Sequence, residues 1–168
     1  ALDECAQNRI NSADNCVGNL SLTMPAVNDV TASFNTNGVS IAWEAVTVNP
    51  ASYTLSRAPE NGTFNEIGST EINAFTDSQT TNGNRIFDYQ IVSADTCGNS
   101  SSPSPLIRPI FLRATERTTN NYDFSWNDYS GWNIPSSSIE YSLEVLDEEN
   151  NLLESFPILE NNFTRNIS

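Results

Sequence analysis

The chain has 168 residues, 38% of them hydrophobic, with 21 acidic residues against seven basic ones and a formal net charge of −14. So acidic a surface repels phosphate backbones and anionic bilayers, which argues against nucleic-acid binding and against docking on an acidic membrane. All seven basic residues are Arg; the absence of Lys and His removes Ser-His-Asp catalysis, Schiff-base chemistry, a P-loop grip and His-ligated zinc.

Length allows one or two small domains. No run of 18 apolar residues is present, so no membrane insertion is expected. No secretory leader is recognisable, and Ala1 reads as a cut or mature end.

Short alternating runs separated by turn residues replace helical periodicity, which points to an all-β sandwich. The first run is "VNDVTASF" (27–34), followed by the turn "NTNG". "VSIAWEA" (39–45) puts Val39, Ile41 and Trp43 on one face. "ASYTLSRAP" (51–59) alternates through Tyr53 and Leu55, and "ENGT" is a hairpin signal. "FNEIGS" (64–69) and "NAFTDS" (73–78) are short strands, and "RIFDYQIVSAD" (85–95) carries Phe87, Tyr89 and Ile91 at period two. A last strand is expected around Leu106 to Ile110. Trp43, Tyr53, Tyr89 and Ile91 are assigned to the core, since large aromatics on inward faces fill the space between two sheets.

A second pass begins at "PIFLRAT" (109–115), where Ile110 and Leu112 are expected on one face of a strand. "NNYDFSWND" (120–128) mirrors the second strand, with Trp126 in the place of Trp43. "SIEYSLEVLD" (138–147) mirrors the third and puts Tyr141 in the core. "LLESFPI" (152–158) and "NNFTRNIS" (161–168) follow, and no sixth or seventh strand is readable. A unit short of two strands would leave an open sheet edge.

"WEAV…ASYTLSRAPENGTFNEIGST…NAFTDS…FDYQIVSADTCGN" resembles a fibronectin type III domain. "YQIVSADTCGN" (89–99) and "FSWNDYSGW" (124–132) resemble repeats in large secreted surface proteins of gliding Bacteroidota-type bacteria, substrates of type IX secretion. The resemblance implies immunoglobulin-like (fibronectin type III) sandwiches in tandem. Residues 1–20 are then the tail of a preceding repeat and a linker, 21–107 a complete domain, and 108–168 a second, incomplete one. No sorting domain of that secretion system is readable in the sequence.

The resemblance also places the cysteines. "ADTC" ends at Cys97 in the loop after the sixth strand, and "LDEC" puts Cys5 in the same loop of the preceding repeat. A Cys16–Cys97 disulfide would tie the start of the first complete domain to its own loop, contributing about 4 kcal/mol in the chain-entropy model. The alternative is Cys5–Cys16, which closes a short loop.

Two stretches are candidate sites. "LDEENN" (146–151) clusters three carboxylates that a structural calcium would use, or else is a solvated hairpin turn. No other cofactor is expected. "WNDYSGW" (126–132) brings Tyr129 and Trp132 together in a loop, where they are candidate contacts for a glycan or protein partner, or else pack between adjacent domains. The function expected is non-enzymatic: an extracellular spacer or adhesive stalk at the cell surface, with neighbouring repeats as first partners. Glycans and other surface or secretion-system proteins are further candidate partners. Alternatives are an accessory module of a secreted polysaccharide-degrading enzyme, and a filament or secretion-complex subunit completed by strand addition.

Overall fold

The computed structural model describes residues 24–46, 50–80, 85–119, 121–158 and 162–166. These residues form an all-β molecule of two consecutive units. In the first, β1 (Thr31–Asn35), β2 (Gly38–Ala42) and β5 (Ala74–Asp77) make one sheet in the order β1-β2-β5. The other sheet is β4 (Asn65–Thr70), β3 (Ser52–Pro59) and β6 (Phe87–Ala94), in the order β4-β3-β6. All named pairings are antiparallel. This is the layout of an immunoglobulin-like sandwich.

Period-two alternation explains the core. On β3, Tyr53 and Leu55 are buried while Ser52, Thr54 and Ser56 between them are not. On β6, Tyr89, Ile91 and Ser93 face the same way, in register with Arg57, Leu55 and Tyr53. The opposite sheet supplies Val39 and Ile41, and Val27, Val30 and Ile107 close the margins. Trp43 meets Tyr53 edge-on, with ring centroids 4.9 Å apart. Each fully buried aliphatic side chain contributes on the order of 1.5–3 kcal/mol.

One end of this core is polar. The buried Asp77 carboxylate accepts hydrogen bonds from Arg57 (2.7 Å) and from the Tyr89 hydroxyl (3.1 Å), and the Arg57 guanidinium lies over Phe87. Burial, reinforced by the neighbouring Asp77 charge, pushes the Tyr89 phenol well above its ordinary range.

The strand expected at 106–110 is reduced to one bridge. Ile107 and Tyr89 exchange backbone hydrogen bonds of 2.8 and 3.0 Å, and Arg108 pairs instead with Ser130 of the second unit. Pro103, Pro105 and Pro109 surround the segment and supply no N–H, so a continuous ladder cannot form.

The second unit contains β7 (Arg113–Thr118), β8 (Asn121–Ser125), β9 (Tyr141–Leu146), β10 (Leu152–Ile158) and β11 (Asn162–Asn166). Its sheets are β11-β8-β7 and β10-β9, which repeat β5-β2-β1 and β4-β3. β9 pairs only with β10 among the described residues, whereas β3 is paired on both edges. The strand expected over 109–115 begins only at Arg113. Ile110 and Leu112 lie ahead of it, 36% and 47% exposed, because residues 109–112 serve as the connection between the units. No helix among the described residues is long and apolar enough to cross a membrane.

Candidate functional site

The loop after β8 docks on the first unit. Locally it is shaped by its own neighbours. The Tyr141 hydroxyl accepts a hydrogen bond from the Tyr129 amide (3.0 Å), and Trp126 packs near the Tyr141 ring. Asn127 braces the connection by accepting from the Phe111 amide (2.9 Å) and donating to the Pro109 carbonyl (3.0 Å). Phe111 in turn meets Phe34 of β1 edge-on, at 5.3 Å.

Tyr129 leaves this loop and enters the first unit. Only 6% of it is exposed, and it belongs to the same buried cluster as Val30, Trp43 and Tyr53. Its hydroxyl donates to the Val30 carbonyl and accepts from the Ala32 amide (3.2 Å). The Val30 amide donates to the Gly131 carbonyl at 2.9 Å. β1 is the outer strand of its sheet, so these bonds satisfy edge groups that a strand would otherwise present bare. Burial pushes the Tyr129 phenol above its usual range, partly offset by the Ala32 bond.

Gly131 is required at its place. Its φ is +151°, and a Cβ there would lie 2.7 Å from both the Val30 carbonyl oxygen and the Tyr129 hydroxyl. Around it, Ser130 and Arg108 exchange backbone hydrogen bonds (2.7 and 3.0 Å), and the Ser130 hydroxyl donates to the Leu106 carbonyl (2.6 Å). The Asn133 amide donates to the Asp29 carboxylate (2.9 Å). Arg108 is anchored in the first unit by a bidentate pair with buried Asp88, at 2.6 and 2.8 Å, and a contact to Glu60. The Asp88 hydrogen bond is the main cause holding the Arg108 pKa above its already high value.

The residues singled out in the sequence fall as follows. Trp43, Tyr53, Tyr89 and Ile91 are buried in the first unit, while Trp126 and Tyr141 are half-buried in the second. Both indole N–H groups, of Trp43 and Trp126, are buried without a partner among the described residues. Tyr129 and Trp132 separate: Tyr129 is closed to solvent and so to a sugar ring, whereas Trp132 packs on Tyr129 at 4.7 Å and stays 44% exposed. Cys97 is disulfide-bonded. Cys5 and Cys16, and with them the pairings Cys16–Cys97 and Cys5–Cys16, lie outside the described residues.

Two surface loops share one geometry. The Asp95 carboxylate accepts from the Cys97 and Asn99 amides (2.8 and 2.9 Å) and from the Asn99 side chain (2.8 Å). The Asp147 carboxylate accepts from the Glu149 and Asn151 amides (3.0 and 2.7 Å) and from the Asn151 side chain (2.9 Å). The fourth position is left-handed in both, at Gly98 (φ 87°) and Asn150 (φ 63°). "DTCGN" and "DEENN" are therefore the same Asp-led turn. Asp147, in the candidate calcium cluster, has one oxygen engaged by the Glu149 and Asn151 amides and the other by the Asn151 side chain. Partial burial works to raise the Asp95 pKa, but the bonds from Asn99, Cys97 and Gly98 together hold it below the usual carboxylate range. At Asp147 the Asn151 side-chain bond is the leading cause of the same lowering.

No family model and no curated protein matches the chain. Among solved structures it is similar to a fibronectin type III-like protein from Clostridium thermocellum. That match has 15% identity and a TM-score of 0.46, and covers 56% of this chain and all of that one. It is also similar to a segment of two fibronectin type III domains from chicken tenascin. There the identity is again 15% and the TM-score 0.35, with 83% of this chain and 82% of that one covered. A segment of titin matches 51% of the chain at 10% identity, with a TM-score of 0.38.

Proposed function

We propose that the chain is a non-enzymatic spacer segment of a secreted cell-surface protein, in which immunoglobulin-like units are stacked to hold another module away from the cell. The observation that carries this reading is the Tyr129 junction. A freely swinging linker is polar and makes few contacts across the boundary. Here a buried tyrosine, Gly131 and Ser130 bind the backbone of the neighbouring unit directly. The disulfide at Cys97 suits an oxidising, extracellular setting. Spin labels at exposed Ile72 and Leu152, one on each unit, test the reading through their distance distribution. A single narrow distribution is expected, broadening in Tyr129→Ala; a broad distribution in the unaltered chain would remove the basis for a rigid spacer.

Exposed Trp132 favours a second reading, an accessory glycan-binding module of a secreted polysaccharide-degrading enzyme. An indole held on Tyr129 presents a ready stacking face to a sugar ring. Saturable quenching of indole fluorescence by neutral oligosaccharides, lost in Trp132→Ala, would support it. A flat titration would count against it.

A further inference from the structure

Ile107 and Arg108 keep the geometry of a strand for two positions. The Ile107 amide and carbonyl face Tyr89 of β6, and those of Arg108 face Ser130 across the unit boundary. Successive residues of an extended chain turn their peptide groups to opposite sides. This short segment therefore carries the sheet of β4, β3 and β6 one partner further, into the second unit. Pro105 and Pro109 flank it and supply no N–H, so the Ile107–Tyr89 pair is its backbone tie to β6 at the boundary.

The Arg108 side chain supplies what the ladder lacks. Tyr89 lies opposite Ile107, so Asp88 lies opposite Arg108, on the other face of the sheet. The guanidinium donates to the Asp88 carboxylate through Nε (2.6 Å) and Nη2 (2.8 Å), and Nη1 reaches Glu60, just past β3, at 3.2 Å. Asp88 is buried. A two-point contact between planar groups fixes orientation as well as distance, which a single ammonium does not. Ile107 is buried on one face and the guanidinium is clamped on the other. Residue 108 is thereby kept from rotating or sliding, and its amide and carbonyl stay aimed at Ser130, at 2.7 and 3.0 Å.

We infer that Arg108 is the positioning residue of the junction. Its guanidinium bonds first-unit residues, and it acts on the second unit through its own backbone, by way of Ser130, on the Tyr129–Gly131 segment. The inference rests on the proposed rigid junction and assigns the angular precision of that junction to the Arg108–Asp88 pair. Loss of the pair leaves both sandwiches folded and lets the angle between them vary.

The test uses the full chain with spin labels at Ile72 and Leu152. Asp88→Leu combined with Arg108→Met removes both charges together and so leaves neither one buried alone. Its distance distribution is expected to broaden, and exchange of the Ser130 and Val30 amides to quicken about tenfold or more, while Leu55 and Ile91 keep their protection. Arg108→Lys keeps the charge without the fork and is expected to broaden the distribution as well. Arg57→Met is the reference. Its partners Asp77, Gln79 and Phe87 all lie in the first unit, so it should lower the melting temperature and leave the distribution narrow. A double variant as narrow as the parent, with the Ser130 amide still protected, would overturn the inference and leave the junction reading standing. Should the double variant fail to fold, the same result in Arg108→Lys overturns it. Equal broadening in Arg57→Met would overturn it too, since general loosening would then account for the effect. A broad distribution in the parent chain would remove the junction reading and the inference together.

Discussion

Replacing Tyr129 by Phe keeps the ring and removes one oxygen. The lost hydroxyl serves two buried backbone groups, the Val30 carbonyl just ahead of β1 and the Ala32 amide on its outer edge. A buried group left without a partner costs about 1–3 kcal/mol, so losing both puts Tyr129→Phe at about 2–4 kcal/mol once some water access is allowed for. Tyr129→Ala adds a cavity at the edge of the cluster and should cost about 3–5 kcal/mol. For a chain of this size, the Phe variant should lower the melting temperature by on the order of 5–10 °C. Calorimetry reads the shift, and amide exchange localises it: Val30 and Ala32 should lose protection, while Leu55 and Ile91 keep theirs. A Phe variant that melts within a degree or so of the parent, with the Ala32 amide still protected, would refute the reasoning that the hydroxyl closes this edge.

Further outcomes follow from the same contacts. Gly131→Ala forces a methyl toward the Val30 carbonyl, and overpacking of this kind costs about 1–3 kcal/mol; denaturant titration should show the loss, together with faster exchange at the Val30 amide. Asp95 is held below its unfolded pKa, so its contribution is present above about pH 4 and is lost as pH falls through the folded value. The stability gap between parent and Asp95→Asn should accordingly narrow in acid, and a constant gap from pH 7 to pH 2 would contradict the turn geometry. Tyr89 moves the opposite way: its folded pKa is raised, so its contribution is present below about pH 10 and is lost at higher pH as the unfolded chain ionises first. Tyr89→Phe, lacking the bond to Asp77, should be weaker than the parent at neutral pH yet show a shallower alkaline loss.

The sandwich of the first unit is legible in the sequence because its signal is local. Alternation in "ASYTLSRAP" and "FDYQIVSA" sets which face of β3 and β6 turns inward, and the hairpin turns bound them. The same holds for "LLESFPI", whose limits coincide with β10. Ile110 and Leu112 carry the same alternation yet lie exposed in a connection; spacing alone does not distinguish an inward strand face from such a linker. The equivalence of the loops at Asp95 and Asp147 is hidden by chemistry. Cys97-Gly98 and Glu149-Asn150 share no side-chain type, only a left-handed residue between an Asp and an Asn.

Packing of the Tyr129 loop between adjacent domains is one of the two readings the sequence offers, but its partners are not legible there, for a different reason. Tyr129 sits in a polar loop, with Asp128 and Ser130 beside it, and its partners Val30 and Ala32 lie 99 and 97 positions away. Nothing local says that the ring is buried. The readable signal was the Tyr-x-Gly spacing, in which the glycine leaves room for a carbonyl to approach.

The most direct test of the stacked-unit reading is the relative orientation of the two sandwiches in solution. Residual dipolar couplings of the amides in β2, β3 and β6, fitted separately from those in β8, β9 and β10, yield one alignment tensor for each unit. The expected result is a single shared tensor in the parent chain that separates into two in Tyr129→Ala. Two unequal tensors in the parent chain would contradict a rigid junction at Tyr129.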